Sequence, residues 1–164
     1  MLQASPKGLF SNDYEIQRDG VRVALLDPSA RRERGEVEIE GKTYELEREG
    51  WLGDFRLLDE MKHPLVTATK PLALRSRFEV SYGERRYVLE KASFWRSGFA
   101  VRERIPGGTA SGKDVRTVGS IEKAGIFTRR AVLDLPEDWP LPVQIFVFWL
   151  VVVIWTREKA AASG

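Results

Sequence analysis

The residues that first suggest chemistry are Gly107 to Asp114, "GGTASGKD", which satisfy the glycine and lysine spacing of a phosphate-binding loop, G-x-x-x-x-G-K. Such a loop cradles phosphates with backbone N–H groups and places a Ser or Thr hydroxyl on magnesium directly after the lysine. Asp114 stands in that place, and its carboxylate would repel phosphate oxygens. A phosphate-binding loop also opens a helix, whereas "DVRTVGSIEK" alternates like a strand, so the stretch is expected to be a hairpin loop. The one histidine, His63, precedes Pro64 without a partner for a metal site or a catalytic triad, and is expected at the surface. No cysteine is present, which excludes disulfides and thiolate ligands and suits a cytoplasmic protein. No nucleophile and base stand out together, so no catalytic residue, metal or cofactor is expected.

Two basic groups carry the remaining chemistry. Arg31, Arg32 and Arg34 form "RRER" in a loop between candidate strands, and Arg129 with Arg130 interrupts an apolar run near the end. Loops on a rigid scaffold commonly carry binding groups, and guanidinium groups grip anionic headgroups or acidic partners through charge-assisted hydrogen bonds. The alternative is a solvated loop whose charges pair with Glu33 and Glu36. With 26 basic and 24 acidic side chains the net charge is only +2, too weak a field to suggest nucleic-acid binding.

These groups need a scaffold, and from Tyr14 onward the dominant hydrophobic period is two. "EVEIE" places Val37 and Ile39 on one face and glutamates on the other, and "TYELER" does the same with Tyr44 and Leu46 across a tight turn at Gly41 and Lys42. The spacing predicts about eleven strands, near 14–18, 21–26, 36–40, 43–48, 54–59, 65–70, 77–82, 85–91, 98–104, 116–122 and 126–133. Val37 to Phe55 also lines up with Phe78 to Phe99, matching Val37 with Phe78, Ile39 with Val80, Tyr44 with Tyr87, Leu46 with Leu89 and Phe55 with Phe99, which suggests an internally duplicated meander. Trp51 and Trp95 fall at matching places in the two copies and are expected to plug the ends of the scaffold, the alternative being contact with a membrane or ligand.

The last apolar run, "LPVQIFVFWLVVVIW" from Leu141 to Trp155, is fifteen residues long, where a membrane span takes roughly twenty. Glu137 and Asp138 precede it, and Arg157, Glu158 and Lys159 follow, an arrangement that suits a helix dipole. Apolar all round, it must be buried on every side, by lipid or by protein. A barrel of about eight strands is filled by its own side chains, and roughly eleven are needed to admit a helix along the axis. Fifteen helical residues reach about 22 Å, close to a tilted strand of six or seven residues. The expected fold is therefore mainly β: a closed antiparallel barrel of about 11–12 strands enclosing a hydrophobic C-terminal helix. Residues 1–13 are expected to be flexible, 14–158 to form the single barrel domain with its helix at about 141–157, and 159–164 to be a flexible tail. Tyr44, Phe55, Tyr87, Phe99, Ile145, Phe148, Trp149 and Val152 are the expected core.

A β-rich chain with a duplicated meander, ending in an apolar helix after "LPEDWPLPVQIF", resembles the tubby C-terminal-like superfamily, which includes tubby proteins, LURP-one-related proteins and phospholipid scramblases. The resemblance covers about Tyr14 to Glu158 and implies a barrel of about twelve strands around the helix. It also implies phosphoinositide binding through clustered Lys and Arg, although no family motif matches residue by residue. Scramblase-like members carry an acidic calcium segment before the helix; here only Asp134, Glu137 and Asp138 are available, sparser than calcium requires.

Three functional classes stay open. The first is a non-enzymatic tubby-like module binding anionic phospholipid or an acidic protein, cytoplasmic and membrane-peripheral, with no secretory signal, no transmembrane span and no nucleic-acid partner expected. The second is a tail-anchored membrane protein with a soluble β domain. The third is an enzyme whose site is assembled from residues distant in sequence.

Overall fold

The computed structural model describes residues 1–70, 77–93, 96–107, 115–125 and 128–164. Among them are β1 (Leu2–Pro6), β2 (Tyr14–Arg18), β3 (Val21–Asp27), β4 (Arg34–Ile39), β5 (Lys42–Arg48), β6 (Phe55–Leu58), β7 (Pro64–Thr69), β8 (Arg77–Tyr82), β9 (Arg85–Ser93), β10 (Arg96–Arg104), β11 (Val115–Lys123), β12 (Ala131–Asp134) and α1 (Leu141–Ser163). Every strand pairs antiparallel with its sequence neighbours, and β1 pairs with both β2 and β12, so the sheet closes into a barrel of twelve strands. Among the described residues, closure leaves no strand at an open sheet edge.

The period-two pattern works as read. Val37 and Ile39 of β4 are buried while Glu36 and Glu38 face water, and Phe78 with Val80 of β8 repeats the scheme. Of the expected core, Phe55, Tyr87, Phe99, Ile145, Phe148, Trp149 and Val152 are buried, and Tyr44 is partly buried against them. β11 follows the glycine- and lysine-rich stretch as a strand, as its alternation predicts; residues 108–114 of that stretch lie outside the described residues.

Several expectations need correction. Residues 1–13 are not a loose leader: β1 inserts Leu2 and Ala4 into the core and supplies the twelfth strand. The helix continues to Ser163, so 159–164 is largely helical and not a flexible tail, and its last turn holds no base. Its first turn holds no acid either, because Glu137 and Asp138 precede Pro140, the N-cap residue. Pro142 is tolerated there because first-turn N–H groups have no partner within the helix. The turn between β4 and β5 is Glu40–Gly41, not Gly41 and Lys42, with φ of 51° and 76°, the left-handed pair that two-residue hairpins favour. Val37 lies opposite Tyr44 and Val80 opposite Tyr87, so the two hairpins correspond through Val37 and Val80, not Val37 and Phe78. A resemblance drawn on alternation alone slips by two residues without changing face.

Alternating strand directions give the barrel two ends. One, here called the rim, carries the β1–β2, β3–β4, β5–β6 and β11–β12 connections; the other, the base, carries the β2–β3, β4–β5, β6–β7 and β8–β9 turns and the lead into α1. α1 therefore runs from base to rim. Near the base, Trp139 packs on Tyr82 and Tyr87 with ring centroids 6.4 and 4.8 Å apart. Further along, Phe148 meets Tyr14 of β2, Trp149 meets Phe55 of β6 and Trp155 meets Phe99 of β10. These three strands stand a third of the circuit apart, so the barrel surrounds the helix, and all residues from Val143 to Ile154 are buried. By length and composition alone α1 could also cross a membrane.

Two polar contacts fix the helix in register. Gln144, the buried polar residue of α1, donates from Nε2 to the Trp139 carbonyl at 2.8 Å, and Trp149 Nε1 donates to the Pro28 carbonyl at 2.7 Å. The second contact needs the β3–β4 loop held close, and Gly35 permits this: a Cβ there would lie 2.5 Å from the Asp27 carbonyl oxygen and 2.9 Å from that of Pro28.

Candidate functional site

All five arginines singled out in the sequence fall at the rim. Arg31 and Arg32 are exposed on the β3–β4 loop, Arg34 is exposed at the start of β4, and Arg129 and Arg130 are exposed just before β12. Arg31, Arg32, Arg34 and Arg130 form no ion pair among the described residues, and neither does Glu36. Arg129 is committed to structure instead: its guanidinium donates to the carbonyls of Ser11 at 2.7 Å, Gly8 at 3.1 Å and Leu9 at 3.5 Å, fastening the β1–β2 loop.

Glu33, the expected neutralising neighbour of Arg31 and Arg32, turns inward. Its carboxylate accepts from Arg48 Nη1 of β5 at 2.8 Å and from Arg157 Nε of α1 at 2.8 Å, tying loop, wall and helix together. Arg48 and Arg157 also lie over the Phe55 ring, 5.2 and 5.8 Å from its centroid. Lys70, just beyond β7, has its pKa lowered, first by burial and then by the charges of Arg157 and Arg48. Arg48 and Arg157 thus share one carboxylate, and the charge of Lys70 acts on the same group, which leaves the mouth of the barrel positive.

Burial opposes ionisation of Glu33, but hydrogen bonds from Arg157 and Arg48, with their charges, outweigh it and hold the carboxyl below the ordinary glutamate value of 4.5. A pKa depressed by folding stabilises the native state above the unfolded value, and that contribution is lost as pH falls through the folded value. Glu33→Gln should therefore melt below the wild type at neutral pH, and the gap should shrink as pH drops below 4.5, as thermal melts across the acid range would show.

The base offers a cavity of about 350 Å³ lined by Arg85, Tyr87, Glu103, Arg116, Asp138 and Trp139, among others. Its charges are matched internally: Arg85 lies 3.6 Å from Glu103 and 3.9 Å from Asp138, and Arg116 lies 2.7 Å from Glu103. With both arginines paired to carboxylates, it offers an anion far less than the rim does. Tyr87 Oη accepts from Trp139 Nε1 at 3.3 Å, which closes the barrel floor. His63 is exposed in the β6–β7 turn beside Asp59, whose carboxylate accepts the Met61 and His63 N–H groups. Among the described residues, no three His, Cys, Asp or Glu side chains are grouped to hold a metal ion.

Trp51, expected to plug an end, is exposed on the β5–β6 loop, and Trp95 lies outside the described residues. Sequence reading missed Arg48, Arg157 and Lys70 as members of the site, since only barrel closure brings them to Glu33. Compared with protein-family models, curated proteins and solved structures, the chain matches none of them.

Proposed function

We propose that this protein is a non-enzymatic, tubby-like barrel module whose rim binds anionic phospholipid headgroups, which would make it membrane-peripheral on the cytoplasmic side. The observation that carries the reading is the pair Arg31 and Arg32: exposed, without acidic partners among the described residues, and on the loop above the positive mouth formed by Arg48, Arg157 and Lys70. Unpaired guanidinium groups at a surface lose little hydration by approaching phosphates and gain charge-assisted hydrogen bonds. Near an anionic leaflet each basic side chain contributes about 1 kcal/mol.

Flotation with vesicles of phosphatidylcholine, alone or mixed with phosphatidylserine, tests this directly. The protein should float with the mixed vesicles only and detach as salt rises. Arg31→Ala with Arg32→Ala should cost about 2 kcal/mol, roughly thirtyfold in partitioning. Flotation that ignores phosphatidylserine would remove the lipid reading, and retention by an acidic protein column in its place would shift the proposal to a protein partner.

A further inference from the structure

The largest exposed apolar side chains are not scattered evenly. Leu9 and Phe10 are 91% and 99% exposed on the β1–β2 loop, and Trp51 and Leu52 are 88% and 87% exposed on the β5–β6 loop. Both loops belong to the rim, and the strand order places the β3–β4 loop with Arg31 and Arg32 between them. Around that half of the rim the order is therefore basic at Arg130, apolar at Leu9 and Phe10, basic at Arg31 and Arg32, apolar at Trp51 and Leu52. Away from the rim, the exposed Met1, Val21, Met61, Leu65 and Ile105 stand before β1, on β3, in the β6–β7 turn, on β7 and just after β10, and no two of them are adjacent in sequence.

Resting on the lipid reading above, we infer that the two apolar loop tips enter the bilayer, so that the protein is held by insertion as well as by charge. An exposed aromatic beside an exposed leucine is costly in water and suits the headgroup boundary, where aromatic rings collect and apolar side chains reach the acyl chains. Cations between the two tips then sit at phosphate level. A protein partner would be better served by one continuous apolar patch with a polar border, whereas a fluid interface accepts two wedges separated by arginines. The wedges are also held in place. Arg129 fastens the β1–β2 loop by three carbonyls, and Gly53 lets the β5–β6 loop fold tightly, since a Cβ there would fall 1.8 Å from the Glu49 carbonyl oxygen. The acid nearest to Trp51 in sequence, Glu49, is paired with Arg56 at 3.4 Å.

The test uses the full chain, its Leu9→Ser/Phe10→Ser and Trp51→Ser/Leu52→Ser variants, and phosphatidylserine-containing vesicles. These side chains touch water, so the variants should keep the wild-type melting temperature while each loses tenfold or more in partitioning. Vesicles brominated on the acyl chains should quench wild-type tryptophan fluorescence, and Trp51→Phe should lose most of that quenching. Wild-type binding that survives in both loop variants without quenching would overturn insertion and leave headgroup binding standing. Failure of the wild type to bind anionic vesicles at all would overturn both.

Discussion

A chain that ends at Pro142 should not fold. Removing Val143 onward takes out twelve consecutive buried residues, all apolar except Gln144, that touch the barrel on every side. At about 1.5 to 3 kcal/mol for each large apolar side chain, the lost burial is on the order of 20 kcal/mol, against a typical total stability of about 5 to 15. The wall cannot collapse into the space, because twelve strands closed into a ring fix its diameter. Circular dichroism of the truncated chain should show no cooperative melt. A cooperative melt from a soluble, β-rich fragment would mean that the strands stand without the helix, as they would if α1 served as a membrane tail anchor.

Trp149→Asp is expected to come close to the same result by one side chain. Trp149 is fully buried, meets Phe55 edge-on and Phe146 at a tilt with ring centroids 5.7 and 6.0 Å away, and donates to the Pro28 carbonyl. Losing a buried tryptophan costs about 3 to 5 kcal/mol, and an unpaired carboxylate in its place adds several more. The Pro28 carbonyl also loses its donor. The sum reaches the whole stability of an ordinary domain, so the variant should be unfolded or insoluble at room temperature. Trp149→Phe, which keeps most of the apolar volume and loses the N–H, should fold with a lowered melting temperature.

Eleven of the twelve strands could be read from alternation, because each has one face on the core and one in water, and that asymmetry is written into Val37, Ile39, Phe78 and Val80. β1 could not be read: Leu2 is its one large apolar residue, Ala4 is small, and its burial comes from closing the ring between β2 and β12. The end of α1 was obscured for a different reason. "REKAAAS" has good helix formers but no hydrophobic period, so it reads as tail although it continues the helix. At the candidate site, residue type was enough to single out Arg31 and Arg32. Arg48 and Arg157 were out of reach, since a carboxylate joining residues 15 and 124 positions away is a product of topology. The same holds for Phe10 and Trp51, whose exposure depends on which way the loops leave the barrel.

Because α1 follows every strand in the chain, the container is synthesised before its contents. Until the last turns of that helix leave the ribosome, the inward faces of all twelve strands have nothing to close upon. The domain must then wait as an open, sticky meander, so its yield in a cell should depend on chaperone holding and on growth temperature more than its final stability would suggest.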